Sequence, residues 1–161
     1  MSEITYNDEK AMYPDIIDSI SRKLEFFEYK FWIYRTWKEF DIELKRLVPT
    51  ALNILKKKAL PDITVVYEDS NSNKKILIIE VKIDDITIKD IGQAKMYGDI
   101  FNADSVLLVS LKKNKKEYIE FNQYNHNFLK CVNGAQIYLG FMQHRQVQLQ
   151  RVYPNDGGLI K

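Results

Sequence analysis

Apolar positions along the chain follow two periods. Over residues 14–32, Ile16, Ile17, Ile20, Leu24 and Phe27 recur at helical spacing, with Asp15 and Asp18 at the positive helix end. Phe40, Leu44 and Leu47 predict a second helix over 37–48. Pro49 interrupts it, and a third helical piece is expected over 50–58. The period then changes. Residues 63–68 are β-branched and aromatic and read as a strand, and 69–73 are turn chemistry. Residues 75–82 read as a second strand, apolar enough up to Ile79 to be covered on both faces. Next come a helix over 88–102, a buried strand over 105–111, and a helix over 116–132 that Asn133-Gly134 can end. Strands over 135–141 and 146–153 and a loop tail over 154–158 complete the pattern. Alternating strands and helices predict an α/β fold, a mixed sheet flanked by helices, with an N-terminal helical extension.

The hairpin carries the chemistry. Pro61-Asp62 opens its first strand and Glu80-Val81-Lys82 closes its second. Glu80 and Lys82, two apart, share a face. Two registers are open. If Asp69 pairs with Asn73, Asp62 lies opposite Glu80; if Glu68 pairs with Lys75, it lies opposite Val81. Directly opposite Cβ atoms are about 5 Å apart. In the first register two carboxylates and an ammonium gather at the end of an apolar hairpin, a costly arrangement unless the charges are paired or hold a cation. Two hard oxygen ligands at this spacing suit Mg²⁺, which can polarise a phosphoryl oxygen and acidify water. Lys82 can then position or deprotonate that water or stabilise transition-state charge.

The run Pro61-Asp62-Ile63-Thr64-Val65 followed by Ile78-Ile79-Glu80-Val81-Lys82 resembles the signature of the PD-(D/E)XK nuclease superfamily, the restriction-endonuclease-like fold. The segment Gln93-Ala94-Lys95-Met96-Tyr97 resembles the Gln-x-x-x-Tyr motif of its RecB-like members. Lys89, Gln93 and Tyr97 are expected on one helix stripe, and Ile91, Ala94, Gly98 and Phe101 on another that packs on the sheet. The resemblance covers residues 60–111. It implies Asp62 and Glu80 as Mg²⁺ ligands (Mn²⁺ substituting), with the Val81 carbonyl a third. It implies Lys82 as the catalytic lysine, and Gln93 and Tyr97, with Lys89 on their stripe, as substrate-side residues. The expected activity is that of a deoxyribonuclease, an endonuclease acting on DNA. Two features depart from the family. The usual strand before the Pro-Asp strand falls on 53–59, which reads as helical. The acidic residue expected on the first helix has four candidates, Glu25, Glu28, Glu39 and Glu43.

Other features carry less. Asp84 and Asp85 follow the catalytic strand and read as a polar strand end. Eight aromatics over 26–40 read as core or dimer surface, with base stacking the sharper alternative. Lys56, Lys57 and Lys58 can flank a DNA channel, and Lys112, Lys113, Lys115 and Lys116 read as a solvated loop. His126, His144 and Cys131 lack zinc spacing. No phosphate-binding glycine loop precedes a helix, so no nucleotide cofactor is expected.

Composition bounds this picture. A chain of 161 residues predicts one domain, with a helical part over 1–58, a motif-bearing core over 60–111 and a C-terminal helix and strands over 112–161. Net charge is +2 from 24 basic and 22 acidic side chains, so only local patches can attract nucleic acid. One cysteine allows no intrachain disulfide. The polar N-terminus and short apolar runs predict a cytoplasmic protein without a signal peptide or membrane span. Nineteen lysines against five arginines, with 19 isoleucines, suggest an AT-rich prokaryotic or viral genome. Cutting two strands needs two sites, so a homodimer is expected. The alternatives are a nuclease subunit of a larger assembly and a non-catalytic nucleic-acid-binding or interaction module on the same fold.

Overall fold

The computed structural model describes residues 5–36, 42–48, 60–150 and 158–160. Helix α1 spans Glu9–Phe26, capped by Asp8, whose carboxylate accepts from the Ala11 amide at 2.8 Å. The helix thus starts more than a turn before Pro14 and stops six residues short of the expected end. Glu28 sits at φ 57°, the Glu28 amide donates to Glu25 O, and the Tyr29 amide donates to Leu24 O. That is a left-handed C-terminal cap made without glycine.

The chain released there becomes strand β1, Lys30–Arg35, where a helix was expected. Aromatic and β-branched side chains alternate through it, the composition of a strand. Helix α2 is short, Ile42–Leu47. The expected helix over 50–58 and the first residues of the one over 37–48 lie outside the described residues. Strand β2 is Ile63–Glu68 and β3 is Lys74–Lys82. Helix α3, Ile88–Ile100, opens with a capping box in which Thr87 and Asp90 bond each other's backbone. Strand β4 is Ser105–Ser110.

Helix α4 is Lys116–Tyr124, eight residues shorter at its end than expected. Asn122 Oδ1 takes the Leu129 amide at 3.0 Å, and the Cys131 amide bonds Ala135 O, so this stretch folds as turns. Gly134, at φ 94°, turns the chain into β5, Gln136–Gln143. His144 and Arg145, at φ 50° and 61°, form the two-residue turn into β6, Gln146–Leu149. The strand expected to run on to 153 stops there among the described residues.

The six strands form one mixed sheet in sequence order. β1, β2 and β3 pair antiparallel, β3, β4 and β5 parallel, and β6 returns antiparallel. The N-terminal part is therefore no purely helical extension, because β1 is a sheet strand. Every residue of β4, and β3 from Ile76 to Val81, is buried, so both sheet faces are covered there. α3 covers the face bearing Val106. A Cβ on Gly98 would lie 2.4 Å from Cys131 Sγ and 2.9 Å from Val106 Cγ2, so only glycine allows that approach. α1 meets β3 and both outer strands, β1 and β6, and the sheet curls around it. Its buried stripe, Met12, Tyr13, Ile16, Ile20 and Leu24, enters the core shared by the strands. No described helix is long and apolar enough to cross a membrane.

Candidate active site

The β2–β3 register pairs Ile63 with Ile79 and Glu68 with Lys74. The Asp69 amide donates to Asn73 O at 3.0 Å, closing the turn in the first of the two open registers. One step beyond Ile63, Asp62 therefore meets Glu80. The contact is direct: the Asp62 amide donates to Glu80 Oε1 at 3.2 Å. The Asp62 carboxylate is held from two sides. Oδ2 accepts from the Val81 amide at 2.7 Å, and Oδ1 accepts from the Tyr13 hydroxyl at 2.6 Å. Each oxygen keeps a lone pair for a further partner.

Glu80 is 3% exposed. Burial, reinforced by the charge of Asp62, pushes its pKa well above the ordinary carboxylate value, against the opposing pull of Lys82. Lys82 lies on the same strand face and reaches Asp90 Oδ1 at 3.8 Å. Burial works against its charge, but Glu80, Glu9, Asp90 and Asp62 together hold its pKa above that of an ordinary lysine. Lys82 is therefore favoured as a cation, with Asp90 as its ion-pair partner.

Helix α1 brings two residues to this place that the sequence reading missed. Tyr13 is buried, and burial together with its bond to Asp62 raises its pKa, so it stays a hydrogen-bond donor. Glu9, one turn earlier on the same helix face, feels Lys82, Asp62 and Asp90, and burial is the largest cause of its raised pKa. Of the four acidic candidates, Glu25 and Glu28 are exposed at the far end of α1, about 24 Å along the helix from Glu9. Glu39 and the Glu43 side chain lie outside the described residues. The signal for Glu9 and Tyr13 was present: Asp8 is a good cap, and reading the helix from Asp8 puts both on one face. A strand does precede the Pro-Asp strand: β1 is paired residue for residue with β2, while the stretch over 53–59 lies outside the described residues.

Gln93 and Tyr97 are joined on α3, Gln93 Nε2 donating to the Tyr97 hydroxyl at 3.1 Å. Tyr97 is 1% exposed and belongs to the packed face with Ala94, Gly98 and Phe101, not to an outer stripe. Burial raises its pKa, and the charges of Glu80 and Asp62 add to the rise. Lys89 is exposed at the start of α3 and is not part of the packed cluster. Asp84 and Asp85 are exposed. Lys56, Lys57 and Lys58 lie outside the described residues.

Among the described residues, no group of three or more His, Cys, Asp or Glu side chains is placed to hold a metal ion by itself. The pair Asp62 and Glu80 nevertheless fits a hard divalent cation chemically. It offers carboxylate oxygens only, one of them on a buried acid that its surroundings push toward protonation, and a cation reverses that push. Set against models of known protein families and against curated proteins, the sequence matches none.

Proposed function

We propose that this chain is a divalent-metal-dependent nuclease of restriction-endonuclease-like fold that hydrolyses DNA phosphodiester bonds. The observation that carries the reading is the juxtaposition of Asp62, Glu80 and Lys82 where β2 and β3 meet, with Asp62 fixed by the Val81 amide and the Tyr13 hydroxyl. A structural ion pair needs one carboxylate for one lysine. Here Lys82 pairs with Asp90, while Asp62 and the buried Glu80 stand together, and a further cation would offset their mutual repulsion.

Asp62 and Glu80 would hold Mg²⁺ or Mn²⁺, with the Val81 carbonyl the third donor implied by the resemblance. The chemistry such an ion supplies is Lewis-acid polarisation of a phosphoryl oxygen and acidification of water. The chain's own residues do the rest. Asp62 is oriented before any ligand arrives, because both its oxygens are engaged. Lys82, a cation in the metal-free chain, offers positive charge to the phosphoryl oxygens. Gln93, locked to Tyr97, keeps its amide oxygen and a second N–H for a substrate. In the reaction a water oxygen bonds phosphorus, and the bond from phosphorus to one sugar oxygen breaks. A phosphomonoester and a hydroxyl end remain. A homodimer supplies the second site that double-strand cleavage requires.

The test is cleavage by the purified chain of labelled duplex, single-stranded and four-way-junction DNA in Mg²⁺, Mn²⁺ or EDTA, beside Glu80→Gln. Cutting that depends on metal and falls at least about 100-fold in the variant is expected. A folded wild type that cuts none of these substrates in either metal would overturn the reading.

A further inference from the structure

Strand β4 ends at Ser110, and Ser110 is the register partner of Lys82 on β3. The loop that follows therefore leaves the sheet at the same rim as the candidate site. It carries Lys112, Lys113 and Lys115, all exposed.

This loop is built, not slack. Asn114 in its middle is 8% exposed. Its amide and its Nδ2 both donate to Gln150 Oε1 at 2.7 Å, and Nδ2 also reaches Gly140 O at 3.2 Å. Gln150 Nε2 returns a bond to Asn114 O at 3.3 Å. Ser110 Oγ donates to Lys112 O at 2.6 Å. A buried amide network thus fixes the backbone that displays three lysines. Lys113 Nζ stands 5.5 Å over the Phe141 ring, and Phe141 is the β5 partner of Ser110. Phe141, beneath Lys113, accordingly lies two strand spacings from Lys82, about 10 Å across the sheet.

Charge gives the arrangement its sense. Lys116, at the start of α4, is paired with Glu120 at 2.8 Å, but Lys115 stands at the positive helix end, which disfavours it. The site beside it brings Asp62 and Glu80 together, and carboxylate charge there would repel a polyanion approaching alone. Fixed lysines beside it offset that repulsion where a phosphate chain would pass.

We propose that the loop between β4 and α4, presenting Lys112, Lys113 and Lys115 from a backbone anchored by Asn114 and Gln150, is the surface that grips the DNA phosphate backbone next to the site. The inference rests on the nuclease reading for its substrate, but its test does not need cleavage.

Binding of a short fluorescein-labelled duplex to the full chain is measured by anisotropy in EDTA across a salt series. The triple variant Lys112→Gln, Lys113→Gln, Lys115→Gln is compared with Lys30→Gln, Lys74→Gln, Lys75→Gln, which removes equal charge at the opposite end of the sheet. Lys30 and Lys74 both flank Glu68 there, and Lys74 is eight residues, about 27 Å, from Lys82. Circular dichroism verifies that both variants fold. The loop variant is expected to bind at least tenfold more weakly at low salt. Its slope of log affinity on log salt should become shallower by about 0.9 for each phosphate that the lysines no longer neutralise. The distal variant should stay within about twofold of wild type. Equal weakening by both variants, or none by the loop variant, overturns the proposal, as does loop-dependent binding to anionic lipid vesicles without DNA binding. Loop-dependent DNA binding by a chain that cuts nothing would sustain the loop assignment while the nuclease reading fails. Cleavage with unchanged binding in the loop variant would do the reverse.

Discussion

The two ends of the β2–β3 hairpin hold the same kinds of side chain under opposite conditions. At the turn, Asp69 Oδ1 accepts the Asn71 and Asn73 amides, both at 2.9 Å, and these bonds lower its pKa. Lys75 pairs with Asp104 at 3.6 Å, partly in solvent. These charges are stabilised locally and help to close the turn. At the open end, Glu80 is buried beside Asp62 and its pKa is raised. One end uses ionised groups to make structure; the other stores them at a cost to structure. The difference separates a carboxylate whose bonds stabilise its charge from one whose burial opposes it.

The largest expected effect comes from removing the stored charge. For Glu80 the folded pKa lies above the unfolded value near 4.5. The metal-free protein therefore has its full stability below that value and loses some as pH rises through the folded pKa, because burial then opposes the ionised form. Glu80→Gln removes this loss. Its melting temperature should pull ahead of wild type as pH climbs from about 4.5 toward neutrality. Saturating Mg²⁺ or Mn²⁺ should reverse the order, raising wild type by about 2.7 kcal/mol at a hundredfold excess over Kd and leaving the variant unmoved. A variant less stable than wild type at every pH, with no metal response in either, would show an ordinary structural salt bridge.

A smaller effect is expected at Tyr13, which orients Asp62 and would touch no substrate. Tyr13→Phe deletes a bond to a charged group, a loss of roughly 1.5–3 kcal/mol in stability. Metal affinity, followed by Mn²⁺ titration, should fall about tenfold, as is usual when the group orienting a ligand is removed. Unchanged Mn²⁺ affinity at reduced stability would reduce Tyr13 to packing.

How far the sequence could be read follows from the same contrast. Turn chemistry between Asp69 and Asn73 selects the hairpin parity, so one observed backbone bond decides which face Asp62 takes. Nothing comparable marks the end of α1. Glu28 takes the left-handed cap without being glycine, and the aromatics after it satisfy a helical and an extended period alike. That ambiguity hid β1. The late reading of the start of α1 hid Glu9 and Tyr13. Tyr97 was misplaced for a tertiary reason: the close approach of Gly98 to Val106 turns a wider part of α3 toward the sheet than the two narrow stripes allow. The lysines after β4 have no sequence mark separating them from any solvated run. The buried Asn114–Gln150 pairing that distinguishes them spans 36 residues.

The smallest effect belongs to the turn. Asp69 has a folded pKa below its unfolded value near 3.8, so its contribution is complete above that pH and fades as pH falls through the folded value. Asp69→Asn keeps a carbonyl oxygen able to accept one amide but removes the charge that strengthens both bonds. Its melting temperature should sit slightly below wild type at neutral pH, and the gap should narrow as pH falls below 3.8. This pH trend has the opposite sign to that of Glu80→Gln, and metal should not alter it. A gap that stays constant as pH falls through the acid range would mean that turn geometry, not charge, was disrupted. The two ends of the hairpin would then differ in burial alone.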